Sequence, residues 1–297
     1  MRLTNANNIP VQIVRAVEND GYTKGEAEMS VTGLLQPPQL SILRKHHEAS
    51  ITEDVADRIW MLLGQSIHSV LERANAGRDG ALIEKRIYEN VLGMQISGQP
   101  DELSLDRNEC IDYKVTSVYK VKDALKGANK DWTEQLNTYA WLANRRLGLK
   151  IDKLKVIAIS RDWSKFQYRR SSGDYPAAPV STIPIQCWSE EKQRAFIEGR
   201  VALHQSAAKE FAETEELPEC TAEEQWRKED TFRVMKPGRK SALRILSSRE
   251  EAEGWVEAHK DKEKLLIDFS PGKAVRCENY CAVAPFCQQH SKEKESV

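Results

Sequence analysis

The sequence predicts an α/β protein built on a mixed sheet, with a small α+β appendage at its C-terminal end. Three observations carry this. Apolar periodicity runs helix, β-meander, helix, strand, helix up to about residue 211. The composition then turns acidic at ETEELPEC, near residue 213. Short strand-like runs and a cysteine cluster follow. The expected division is a core at 1–212, with an irregular N-terminal segment, and an arm at 213–297.

The elements follow in order. The first forty-odd residues read as irregular, broken by Pro37 and Pro38. A helix begins near Thr52, with Glu53 and Asp54 where the helix dipole favours negative charge. Val55, Ile59, Leu62, Leu63, Ile67 and Val70 recur at helical spacing and predict one buried face. Strands are expected at roughly 81–90, 92–99 and 109–118, then a helix at 131–147. LKVIAIS (154–160) reads as a buried strand, and Ser189 with Glu190 and Glu191 opens a long helix. In the arm, 232–235 and 242–246 read as strands, Ser248 and Glu251 match a capping box, and 265–269 reads as a strand.

The chain has 297 residues, a hydrophobic fraction of 40% and a charged fraction of 30%, as expected of a soluble globular protein. No apolar run reaches membrane-spanning length, and no apolar leader core opens the chain, so a cytoplasmic protein is expected. The net charge of −1 excludes a histone-like binder but not an enzyme with a local basic groove.

The stretch ISGQPDELSLDRNECIDYKVTS (96–117) is the most informative. Asp112 and Lys114 lie two apart on a strand and project from one face. A paired strand can bring Asp101 beside them. Two carboxylates on one face suit Mg²⁺ or Mn²⁺, which prefer oxygen ligands. Such an ion polarises a phosphate and lowers the pKa of its bound water, and a lysine beside the phosphate stabilises developing charge. His68 lies one helical turn after Gly64, away from the centre of the apolar stripe. Gly64 leaves room for another element to approach. Gln135 and Tyr139 share one face of the following helix, where an amide and a phenol can reach a phosphate or base.

GQSIH (64–68), SGQPD (97–101), IDYKVTS (111–117) and QLNTY (135–139) occur in this order. They resemble the G-x-x-x-H, G-x-x-D, D-x-K and Q-L-x-x-Y motifs of RecB-like nucleases of the PD-(D/E)XK superfamily. That superfamily includes the AddB nuclease domain, CRISPR-associated RecB-like exonucleases and phage recombination exonucleases. The match spans roughly residues 50–145. The resemblance implies a restriction-endonuclease-like core, a mixed central sheet flanked by helices. It implies His68, Asp101, Asp112 and the carbonyl of Tyr113 as ligands of Mg²⁺ or Mn²⁺, and Lys114 as the catalytic lysine. It implies Gln135 and Tyr139 as DNA contacts. Aspartate at position 112 agrees with the RecB-like branch. Glu84 is a further candidate ligand.

Of the six cysteines, Cys110 and Cys187 read as core residues. Cys277, Cys281 and Cys287 form C-x₃-C-x₅-C, and Cys220 is the natural fourth ligand. Four thiolates suit Zn²⁺ or an iron–sulfur cluster, and His290 is a competing ligand that favours zinc. Several RecB-like nucleases join such a triplet to a distant cysteine around a [4Fe-4S] cluster. There the partner precedes the histidine motif, whereas no cysteine precedes His68 here, so Cys220 must serve.

Lys120, Lys122, Lys126 and Lys130 could line a groove for the phosphate backbone. Arg169–Arg170 and the Lys236, Arg239, Lys240 turn are further basic features, and Trp132 is a candidate for base stacking. The expected function is a phage- or prophage-type DNA exonuclease acting on free ends, in recombination, repair or replication. A recombinase or single-strand-binding protein is a possible partner. The competing readings are a non-catalytic DNA-binding or assembly factor and a restriction-type endonuclease.

Overall fold

The structure, a computed structural model, describes residues 2–19, 21 and 24–295. The chain clusters into two compact units. The first contains Met1–Ser41 and Thr52–Leu217; the second contains Ile42–Ile51 and Pro218–Val297. The segment 42–51 thus goes with the arm, which the sequence did not foretell.

The N-terminal segment is not irregular. It holds β1 (Arg2–Thr4), α1 (Val11–Glu18), β2 (Met29–Ser30), α2 (Val31–Leu34) and α3 (Pro38–His46). Pro38 opens α3, where its missing N–H has no intrahelical partner to lose. Short strand β3 (Thr52–Asp54) lies parallel to β1, and α4 (Val55–Asn75) begins only after it. Asp54 is both strand end and helix cap. Its carboxylate accepts from Ala6 and Ala56 N–H and from Thr4 Oγ1, and those backbone donors, Ala6 first, hold its pKa below the usual value.

Next come β4 (Ala81–Ile83), β5 (Ile87–Val91), β6 (Met94–Gly98), β7 (Glu102–Ser104) and β8 (Glu109–Thr116). Then follow α5 (Val118–Leu125), α6 (Lys130–Leu147), β9 (Lys153–Ser160), α7 (Lys165–Arg170), β10 (Val180–Ile185) and α8 (Glu190–Thr214). The α/β class holds, with mixed sheets flanked by helices. The main sheet has the order β10-β9-β8-β7-β4, in which β8 and β9 are parallel and the other pairs antiparallel. A second sheet has the order β2-β6-β5.

The expected three-strand meander is therefore corrected. The run 81–90 breaks at Glu84, whose φ of +48° is left-handed and ends the strand. β4 stays in the main sheet, while the β5–β6 hairpin enters the second. β6 does not pair with β8; the short β7 does.

The core lies between the main sheet and α6 and α8. Leu136, Ala140, Leu142 and Ala143 of α6 pack with Cys110, Leu154, Val156 and Ala158, and with Ile197 and Val201 of α8. Only one face of β9 is fully buried, rather than both. The carbonyls at the end of α2 would be orphans without α8: Arg200 and His204 donate to Leu34 O at 3.0 Å each.

Asn137 is wholly buried and ties α6 to the segment before α8. It donates to Thr133 O at 2.8 Å and Gln186 O at 2.9 Å, and accepts from Trp188 N at 2.7 Å and Gln193 Nε2 at 3.1 Å. Asn137→Ala strands those buried groups. It is expected to cost about 2–4 kcal/mol in urea denaturation.

The second unit adds β11 (Thr231–Met235), β12 (Arg244–Leu246), α9 (Arg249–Glu257), β13 (Leu266–Ser270), α10 (Val275–Asn279) and α11 (Gln288–Glu295). Its sheet, β12-β11-β13, is antiparallel, and Val234, Ala252 and Leu265 form its small buried core. Ser248 caps α9 through Glu251 N–H, and the Glu251 carboxylate returns to the backbone of Ser247 and Ser248 as well as to the Ser247 hydroxyl.

Candidate active site

The site stands where the main sheet opens. β7 pairs with β8 only as far as Glu102–Ile111, so beyond Ile111 that edge of β8 is released. Asp101, the residue before β7, fills the gap. Its Oδ2 accepts the Tyr113 N–H at 2.5 Å. A strand residue's N–H and C=O leave on the same side, so the Tyr113 carbonyl faces this released edge too. The other edge of β8 is fully paired with β9, which fixes Asp112 and Lys114 in register with Val156 and Ala158.

α4 brings His68 in from outside the sheet. His68 Nδ1 lies 3.0 Å from Asp101 Oδ1 and 4.0 Å from Glu84 Oε1. The ligand atoms of His68, Glu84 and Asp101 all lie within 4.8 Å of one another. Glu84 is held there by two bonds. Its N–H donates to Asp101 O at 3.0 Å, and its Oε2 accepts from Gln99 Nε2 at 3.0 Å. A non-glycine residue in the left-handed region carries strain, and here the strain aims a carboxylate at His68. Arg86 in turn bonds the Gln99 carbonyl. Gln99 and Arg86 are the supporting residues that sequence reasoning missed; the left-handed Glu84 has no signature in a single sequence.

Asp112 is buried, 3% exposed, beside this group. Lys114 Nζ sits 2.7 Å from Asp112 Oδ2, an ion pair. A buried carboxylate is stabilised by a cation beside it, here the Lys114 ammonium. Burial pushes the Asp112 carboxyl up to about 6, and burial with the Asp101 charge pushes Glu84 up to about 7. The hydrogen bond to Asp101 raises His68.

A histidine and two carboxylates within 4.8 Å of one another, with the Asp112 carboxylate lining the same cavity, fit a divalent ion. The raised acids make one consequence measurable. Metal must displace protons from Glu84 and Asp112, so Mn²⁺ affinity is expected to rise with pH from about 5.5 to 7.5. Calorimetry in buffers of different ionisation enthalpy should show protons released on binding. A pH-independent affinity with no release contradicts this ligand set.

The site lies in a cavity of about 970 Å³ that also takes in Gly64, Gln65, Gln135 and Tyr139. Gln135 Nε2 donates to Tyr139 Oη at 3.0 Å, so the helix-face pair is formed. Burial raises the Tyr139 phenol well above its ordinary value, which keeps it a neutral donor. Gly98 lets α6 approach: a Cβ there would stand 2.7 Å from Leu142 Cδ1 and 2.9 Å from Tyr139 Cδ1. Gly64 has a different role from the one expected. A Cβ on it would meet nothing within 4 Å, so no element packs there and the glycine borders the cavity. The stripe on α4 is corrected with it. Val55 is the buried member, and Val70 is exposed, because α4 faces the cavity rather than a packed core.

No family model matches the chain, and no curated protein matches it. Solved structures similar to it include SSO0001, with a TM-score of 0.43 and 20% identity, covering 65% of this chain and 85% of that one. Another is a phage-related exonuclease from Haemophilus somnus 129PT, with a TM-score of 0.36 and 17% identity, covering 53% of this chain and 74% of that one. Both likenesses are distant, and the reading of the site rests on its own residues.

Of the lysines expected to line a groove, Lys120 pairs with Asp131 and lies over the Trp132 ring, and Lys122 bonds Asp174 at 2.6 Å. Trp132, the candidate for base stacking, is buried in the core.

In the second unit, Cys220, Cys277, Cys281 and Cys287 form no disulfide among the described residues. Gln289 clasps the backbone of Cys220, accepting its N–H at 2.8 Å and donating to its carbonyl at 2.9 Å. That brings Cys220 to the triplet. Burial, then Glu224 and the thiols of Cys287 and Cys277, pushes Cys220 up to about 12. Burial, then Cys281 and Cys287, pushes Cys277 up to about 11. Among the described residues no three of the sulfurs lie within 4.8 Å of one another. The His290 N–H lies 3.5 Å from Cys287 Sγ.

Proposed function

We propose that the chain is a divalent-metal-dependent deoxyribonuclease that hydrolyses phosphodiester bonds from free DNA ends. One observation carries this reading: His68, Glu84, Asp101 and the buried Asp112–Lys114 pair, drawn from separate elements, meet at one cavity. Paired carboxylates with an adjacent lysine are the set that phosphodiester hydrolysis needs.

His68, Glu84, Asp101, Asp112 and the Tyr113 carbonyl would hold Mg²⁺ or Mn²⁺. The bound ion supplies charge neutralisation at the phosphate and an acidified water. The remaining chemistry belongs to the chain. Lys114 holds its ammonium at the Asp112 carboxylate, where it orients the attacking water and stabilises negative charge on the phosphate. Gln135 and Tyr139 donate to the substrate from the cavity wall and fix the strand. Asp101 takes the Tyr113 N–H, so the β8 edge stays in place when substrate binds.

The test is Mn²⁺-dependent release of nucleotides from linear DNA by wild type and by Asp101→Asn. Loss in the variant supports the reading; equal release removes it. Binding without cleavage under Mg²⁺ and Mn²⁺ favours a DNA-binding factor, and cleavage of closed circles favours an endonuclease.

We further propose that Cys220, Cys277, Cys281 and Cys287 carry a structural [4Fe-4S] cluster or zinc ion. The four-thiol donor set and the Gln289 clasp support this. Iron and zinc content with the visible spectrum decides between the two; protein carrying neither removes the proposal.

A further inference from the structure

Trp60 is a large aromatic side chain left 57% exposed on α4, the helix that carries His68. It stands eight residues before His68, roughly 12 Å along the helix axis at 1.5 Å per residue. The Arg161 guanidinium lies 4.4 Å from its ring centroid. Arg161 is itself tied to the catalytic strand. Its N–H donates to Thr116 O at 2.8 Å, and Thr116 is the residue two beyond Lys114 on β8. The pair therefore stands at the carboxyl ends of the two parallel strands β8 and β9, where ligands of open α/β sheets are received.

Neither side chain contributes to the buried core. Two further exposed rings follow β8 and β9 in sequence. Tyr119, at the start of α5, is 75% exposed, and Phe166 of α7 is 66% exposed beneath the Arg170 guanidinium. Asp162, the acid next to Arg161, is turned inward to accept the Val118 N–H at 2.7 Å. Exposed rings with guanidinium groups over them match a polyanion whose bases present flat faces. A duplex hides those faces, whereas a single strand offers them.

We propose that Trp60 and Arg161 form a stacking platform that receives an unpaired base of the DNA strand entering the site. This rests on the nuclease reading. The ring takes the base on the face that Arg161 does not cover, and Arg161 reaches the neighbouring phosphate. The platform holds a strand that has already left the duplex, and so favours single-stranded ends over blunt ones.

The test is fluorescence anisotropy with labelled oligo-dT of twenty nucleotides and a blunt duplex, in Ca²⁺, with wild type, Trp60→Ala, Trp60→Phe and Arg161→Gln. Mn²⁺ binding by each variant checks the fold. Trp60→Ala is expected to bind the single strand roughly ten-fold more weakly, with a smaller loss for the duplex, and Trp60→Phe to recover most of the affinity. Arg161→Gln is expected to lower the salt dependence of single-strand binding by about one ion. If wild type cuts DNA in Mn²⁺ while Trp60→Ala binds single strands as wild type does, the platform is overturned and the nuclease reading stands. If wild type neither binds nor cuts DNA, both fall.

Discussion

Lys114→Ala is expected to lower Mn²⁺-dependent hydrolysis of linear DNA by about 10²–10³-fold while leaving Mn²⁺ binding largely intact. Among the described residues the lysine is ion-paired with Asp112. Removing it takes away the positive charge at the phosphate but leaves the His68, Glu84 and Asp101 group assembled. Asp112→Asn should behave differently. It removes a buried anionic ligand, so Mn²⁺ affinity and turnover should fall together. The two variants thus separate metal binding from charge stabilisation, and a calorimetric Mn²⁺ titration beside a turnover assay reads both. A Lys114→Ala protein as active as wild type contradicts the role given to Lys114. An Asp112→Asn protein with unchanged Mn²⁺ affinity contradicts the ligand set.

Cys277→Ser is expected to have the largest effect on the second unit. Its apolar cluster has Val234, Ala252 and Leu265 buried, with partly buried side chains such as Phe232 and Trp255 packed on them, a small core for the length of chain it orders. A structural metal in such a unit contributes on the order of 10 kcal/mol to folding. The variant should lose bound metal, and residues from about 218 onward should become sensitive to trypsin while the core persists. Protection equal to wild type, with metal content unchanged, contradicts a metal staple.

The parts of the fold that the sequence disclosed are those with local causes. α6 shows an amphipathic pattern, and α8 announces itself at its start, where Ser189 accepts from Lys192 N–H. Asp112 and Lys114 were legible as a pair because the strand period alone puts them on one face. Illegible features depend on distant partners. β3 exists because β1, some fifty residues earlier, pairs with it. The apolar stripe of α4 reads as a buried face, yet whether a stripe meets core or cavity is decided by elements not adjacent in sequence. Glu84 was the least legible member of the site. Its strand-like context hides a left-handed residue, and that one torsion sends β4 and β5 to different sheets and aims the carboxylate. Asp101 lies against Tyr113 on β8, but β7 delivers it rather than the strand expected at 92–99.

One metal centre, built on His68, Glu84, Asp101 and Asp112, is proposed to cut DNA from its ends. It is tested most directly by incubating the protein with end-labelled linear DNA and covalently closed circular DNA, with Mn²⁺ or with EDTA. The expected result is progressive release of labelled nucleotides from the linear substrate, intact circles, and no product in EDTA. Cleavage that persists in EDTA, or that opens closed circles as readily as it shortens linear DNA, contradicts it.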